Sequence, residues 1–350
     1  MDKSSIVKIE QNNSPSDKVG AGNLMSVIIE ALRSDNDVFT ELEKLNVQLS
    51  QIKQTSYCRY FHEELLGKSP DVVEQAFEPA GNPSDMIIRT LISDDFIDIY
   101  PKLFLNHFAH LERELFIHVQ KMGGTTVLNS FRSSQKVAQI LLPDFIKNGW
   151  IEDRLLFLSD TLRWLSRPSV RSVIVTGHLS SSYIIRNSLK RGLDRVFMTI
   201  RDPVSTSISY VNFVLTLLAD GVDNPGVRFW RNELGMSADE RPSAENRLQS
   251  LASKIVEALL PANSMCSMVG MEPTCASAIA CAGILDCQFI DIKNIDAYCK
   301  KRELTAPVRE NVSKKLVDFD SLNRQSRIIL YDKITEDLKF FDFSSRYTEI

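Results

Sequence analysis

Apolar residues follow a helical period at the start of the chain and gather into short solid runs further on. Over 23–55, Leu24, Val27, Ile28 and Leu32, then Phe39, Leu42, Leu45, Leu49 and Ile52, recur every three or four positions. That spacing marks helices which bury one stripe. Ser34, Asp35, Asn36 and Asp37 between the two stripes read as a turn and a helix cap. Residues 56–112 read as further short helices with breaks at 67–70 and 78–83. Beyond them the runs at 115–119 (LFIHV), 170–176 (VRSVIVT) and 195–200 (RVFMTI) have the look of buried strands. Helices are predicted at about 125–140, 155–164, 183–190 and 203–219, so strands and helices alternate. Alternation of this kind predicts an α/β fold, a parallel sheet flanked by helices; the glycine turn after the first run is what makes the expected sheet P-loop-like. The expected organisation is a disordered tail over 1–22, a mostly helical extension over 23–112 and the α/β domain over 113–350. Residues 221–246 are polar and punctuated, which suggests a lid, a binding loop or a disordered segment. In it Phe229 and Trp230, flanked by Arg228 and Arg231, are placed either to stack on a ligand or to anchor the loop.

Two strand ends carry chemistry. The first run leads through Lys121, Gly123, Gly124, Thr125 and Thr126 into a helix. A glycine turn that opens a helix presents backbone N–H groups and the positive end of the helix dipole to an anion. Glycine lets the main chain approach closely, Lys121 adds a cation, and the threonines add hydroxyls. The lysine precedes the glycines, and GxxxxGK[ST] occurs nowhere in the chain, which weighs against a common ATPase or kinase loop. The run at 195–200 ends in Arg201-Asp202-Pro203, where Pro203 suits a first helical turn, and Ser209 follows eight positions after Arg201. A guanidinium gives bidentate contacts to phosphate, and a hydroxyl adds one more. Arg201 and Asp202 pairing with each other is the plainer alternative.

The order strand, K-x-G-G-T-T, then strand, R-D-P and Ser eighty residues later, resembles sulfotransferases that use 3′-phosphoadenosine 5′-phosphosulfate (PAPS). The resemblance continues weakly through 259–270 (LLPANSMCSMVG), 287–304 and 309–315 (RENVSKK), covering about residues 113–335. It is nearest to the branch of bacterial and Golgi carbohydrate sulfotransferases. It implies that Lys121, Gly123, Gly124, Thr125 and Thr126 hold the 5′-phosphosulfate and that Arg201 and Ser209 hold the 3′-phosphate. Asn311 and Ser313 would lie on a loop that folds back over the cofactor. Many members carry a further arginine at the position of Thr206. The implied acceptor is a carbohydrate or glycolipid hydroxyl. A tyrosine or small-molecule acceptor, a nucleotide-dependent kinase and a non-catalytic nucleotide-binding protein are the alternatives.

Sulfuryl transfer to a hydroxyl calls for a base, and His178 is the candidate, standing directly after the 170–176 strand where the crevice should open. His118, His107, His110, Glu112 and Glu114 rank behind it. Lys121 is assigned to the leaving phosphate oxygen. No metal is required by this chemistry. The net charge of −4 does not favour nucleic acid as the main partner, though a local basic pocket is compatible with it. No run of about eighteen apolar residues predicts a membrane span, and the polar N-terminus has no secretory pattern. A cytoplasmic, bacterial enzyme is the expectation. Five of the six cysteines fall between 266 and 299 without a CxxC pair, which reads as free thiols rather than zinc ligands.

Overall fold

The computed structural model describes residues 21–34, 36–49, 66, 83–147, 151–178, 181–304 and 314–348. The expected tail before residue 21, His62, Cys58, Asn311 and Ser313 lie outside the described residues. The chain divides into two compact units, residues 1–96 and 97–350. In the first, helices Ala21–Arg33, Val38–Leu49 and Pro83–Ile92 bury Ile28, Leu32, Leu42, Ile87 and Leu91. Asp37 caps the second of them, its Oδ2 accepting from Thr40 N at 2.9 Å.

The second unit is built on β1 (Glu112–Ile117), β2 (Val137–Leu141), β3 (Ser172–Gly177), β4 (Arg195–Ile200) and β5 (Cys287–Asp291). They form one all-parallel sheet in the order β2-β3-β1-β4-β5. The β1 strand sits at the centre. From it the chain travels toward β2 on one side, and from β4 it travels to β5 on the other, so the reversal of direction falls between β1 and β4. Ligands of such sheets bind outside the strand ends at that reversal.

Pattern reading places one helix over 125–140, but the structure has a helix at Gly124–Arg132 and then β2. Ser133 is the C-cap, its backbone N–H and its hydroxyl both donating to Asn129 O at 2.9 and 2.8 Å. The β2 strand has five residues, too few for period alone to separate strand from helix.

Alternation along β1 puts Glu114 and Phe116 on one face, which Ile174 of β3 and Arg195 and Phe197 of β4 share by register. Phe116 and Phe197 stack at 5.1 Å. Val127 and Phe131 of the Gly124–Arg132 helix and Tyr298 of the Ile295–Lys301 helix complete that core. Glu114 is buried and ion-paired to Arg302 at 2.6 Å and to Arg195 at 3.5 Å. Glu112 and Glu114 open β1 at the end remote from the glycine turn, which removes both as alternative bases. A second core surrounds the Pro203–Ala219 helix, with Val211, Val214, Leu215 and Leu218 against Leu251, Ile255 and Leu330.

The polar stretch 221–246 contains the Pro225–Glu233 helix, started by Asn224 Oδ1 accepting from Val227 N at 2.9 Å. Arg231 is buried and donates to Ser237 O, Ala238 O and Glu240 O at 2.8–3.1 Å, with a longer bond to Leu218 O at 3.4 Å. Trp230 stands edge-on against Phe213 at 6.0 Å, so it anchors the segment. Phe229 faces outward at 56% exposure. Near the C-terminus, Asp337 accepts from Met265 N and Cys266 N, Glu336 accepts from Cys275 N, and Asn263 Oδ1 accepts from Glu336 N. Side chains of one helix start thereby cap the starts of two others. Among the described residues no helix is long and apolar enough to cross a membrane.

Replacing Arg231 with methionine keeps the apolar stem and removes every donor. The orphaned carbonyls of 237–240 are expected to cost about 2–3 kcal/mol of stability, read as a lower denaturation midpoint in urea with an unchanged slope.

Candidate active site

The turn after β1 owes its shape to two left-handed residues, Lys121 at φ 62° and Gly123 at φ 77°. Glycine adopts this conformation freely; a lysine does so at a cost of about 1–2 kcal/mol. Met122 between them is fully buried and pins the turn. A Cβ on Gly123 would stand 2.8 Å from Ile292 Cδ1. One on Gly124 would stand 1.9 Å from His118 Cδ2 and 2.1 Å from Nε2. A side chain at Gly124 would collide with the His118 ring, and at Gly123 the left-handed backbone itself favours glycine. Val127 N–H is bonded to Gly123 O at 3.2 Å. The amides of Gly124, Thr125 and Thr126 ahead of it have no intrahelical acceptor and carry the positive end of the dipole.

The turn after β4 lies beside it. Asp202 caps the Pro203–Ala219 helix, accepting from Ser205 N at 2.7 Å, so its carboxylate is not spent in an ion pair with Arg201. Arg201 instead donates to Lys121 O at 3.2 Å and ties the two turns together. Burial lowers the pKa of its guanidinium from the usual value. Thr206 is buried, and its hydroxyl returns to Asp202 O at 3.0 Å.

A cleft of about 830 Å³ opens between these turns, and Lys121, Gly123, Gly124, Thr125, Thr126, Arg201 and Ser209 all border it. Its volume falls in the range of small-molecule sites. Lys293, Lys315 and His118 border it as well. Two acids are also present, and each is engaged at a helix start, Asp202 as above and Asp291 with Lys293 N at 2.9 Å. Among the described residues, four cations against two carboxylates engaged at helix starts give the cleft the polarity of an anion site. Lys315 is brought in by Asn212, whose Oδ1 accepts from Leu316 N and Val317 N at 2.7 and 3.0 Å and whose Nδ2 donates to Val317 O. The Lys121 ammonium rests on the face of Phe213, 3.1 Å from the ring centre. Burial lowers its pKa to about 8.

His178 follows β3 but does not border this cleft. Its N–H bonds Asp144 Oδ2 at 2.8 Å, its Nδ1 donates to His118 O at 3.0 Å, and its ring stands 4.4 Å from the His118 ring. Burial raises the pKa of the Asp144 carboxyl. His118 comes just past the end of β1, on the face of Phe116, with ring centres 5.7 Å apart. Of the two imidazoles, His118 is the one that meets the cleft.

Sequence reading missed Lys293, Lys315 and Asn212. For Lys293 a signal exists, a cation directly after a late strand (FIDIK). Comparison of the chain with protein-family models, with curated proteins and with solved structures gave no match.

Because the Lys121 ammonium is charged below its pKa of about 8, sulfate affinity should fall as pH rises through that value, with a limit of about tenfold per unit for one linked proton. Sulfate keeps its own charge over this range. A calorimetric titration series from pH 6.5 to 9.5 measures the effect, and Lys121→Arg should flatten the alkaline fall.

Proposed function

We propose that the protein transfers a sulfuryl group from PAPS to an acceptor hydroxyl on a carbohydrate or glycolipid. The supporting observation is that two motifs, eighty residues apart in sequence, border one cationic cleft at the reversal point of a parallel sheet. In this reading the free amides of 124–126 and the Thr125 and Thr126 hydroxyls hold the 5′-phosphosulfate. Arg201 and Ser209 hold the 3′-phosphate, and the resemblance assigns Asn311 and Ser313, which lie outside the described residues, to the cofactor as well. Lys293 and Lys315 supply the positive charge for which resembling enzymes use an arginine at position 206.

The reaction is an in-line displacement. The acceptor oxygen forms a bond to sulfur as the bond from sulfur to the 5′-phosphate oxygen breaks. Charge develops on that leaving oxygen, and the Lys121 ammonium, desolvated and oriented on Phe213, compensates it. The proton of the acceptor hydroxyl passes to His178. Its Nδ1–H is engaged by His118 O, which fixes the tautomer and leaves Nε2 as the accepting nitrogen. The products are a sulfate ester and 3′-phosphoadenosine 5′-phosphate (PAP). This assignment requires the acceptor to enter from the β3 side of the site. A phosphoryl-transfer enzyme would need carboxylates for Mg²⁺; among the described cleft residues these would be Asp202 and Asp291, each of which spends one oxygen on a helix start.

Calorimetry with PAP, ATP and AMP in the absence of metal tests the cofactor. PAP should bind best, and Arg201→Ala should weaken it by about 10–100-fold, the worth of one charge-assisted contact. Equal affinity for PAP and AMP would remove the basis of the proposal, and Mg²⁺-dependent ATP turnover would replace it with a kinase.

Lys121→Ala should abolish sulfuryl transfer. His178→Ala should lower turnover while leaving PAP affinity nearly unchanged; wild-type turnover in that variant would exclude His178 as the base.

A further inference from the structure

His118 is buried, only 8% exposed, and yet borders the cleft. Its two ring nitrogens have different surroundings. The Cδ2–Nε2 edge lies against the α-carbon of Gly124, the first helical residue of the turn, at the mouth of the free amides. Nδ1 is buried with no hydrogen-bond partner. A proton on Nδ1 would bury an unsatisfied donor, the costlier of the two ways to leave that nitrogen. The single N–H of a neutral ring therefore belongs on Nε2, facing the cleft.

The surroundings also keep the ring neutral. The His178 imidazole is 4.4 Å away, and Lys121 and Arg132 add positive charge. Arg201, Lys293 and Lys315 line the same cleft, where the acids among the described residues, Asp202 and Asp291, serve helix starts. Burial first, and then the neighbouring His178, Lys121 and Arg132, lower the pKa of His118 to about 3.

We propose that His118 is the neutral hydrogen-bond donor of the site, its Nε2–H aimed at the oxyanion that the amides of 124–126 hold. The identification of that oxyanion as the 5′-phosphosulfate rests on the sulfotransferase reading. The role differs from that of His178: His118 gives up no proton and contributes a directed N–H where Lys121 contributes charge. Gly124 is the residue that lets the imidazole edge reach the anion.

Nitrogen-15 long-range spectra of the free protein from pH 5.5 to 7.5, with His118 assigned by its loss in His118→Gln, read the tautomer without any ligand. The Nε2–H form should persist unchanged; an imidazolium or an Nδ1–H form at pH 6.5 would overturn the proposal. Titrations with sulfate and PAP supply the second arm. Glutamine can place an N–H near the former Nε2, whereas asparagine is too short and leucine has no donor. Affinity within about threefold of wild type is expected for His118→Gln, and a loss of about tenfold or more for His118→Asn and His118→Leu. Equal affinities in all three folded variants would overturn the role of His118. The expected pattern with sulfate, but no preference for the 3′-phosphate, would uphold His118 and reject PAPS. Wild-type protein that binds neither anion would overturn both.

Discussion

The parallel pairing of β1 with β4 is the constraint on which the rest of the second unit depends. Ile117 stands opposite Met198, so the chain leaves both strands at the same level and the turns that follow face each other across a few ångströms. Because one connection runs toward β2 and the other toward β5, neither helix covers the gap. The carbonyl of Lys121 receives Arg201 there. Slipping this register by one residue would reverse every side chain along the shifted strand, separating Phe116 from Phe197 and Glu114 from Arg195. The same pairing thus aligns the aromatic core, the buried ion cluster at the far end and the cleft at the near end.

Much of this was legible in the sequence because the chemistry is local. A strand, a lysine and two glycines in eight residues require one kind of turn, and R-D-P requires a strand end and a helix start. The α/β class followed from alternation, and the cap at Asp37 and the helix start at Pro203 from residue type, whereas the cap formed by Asp202 did not. Less legible were features decided across the sheet. β2 is a five-residue run that only its edge pairing with β3 distinguishes from helix. His118 and His178 both follow strands, and which imidazole meets the cleft is settled by the glycine against one of them, six positions further along the chain. Lys315 reaches the site through Asn212, a residue more than a hundred positions earlier, and no local pattern announces such a staple.

The polar stretch 221–246 shows how a long segment with little apolar content is ordered. It relies on one buried guanidinium whose donors collect carbonyls from consecutive turns, and on an indole against Phe213. Phe213 therefore has a double contact, with the Lys121 ammonium on its face and Trp230 at its edge. Through this ring the packing of a surface segment is coupled to the orientation of a cation in the cleft.

Lys121 combines a left-handed backbone, a desolvated ammonium and a solitary aromatic seat. Each of these is unfavourable or weakly compensated in the folded chain, and glycine or asparagine at the same place would relieve the backbone at once. Selection of random variants for heat resistance alone would therefore enrich such replacements and discard the lysine. A lineage that retains lysine at 121 is held there by use, against the pull of stability.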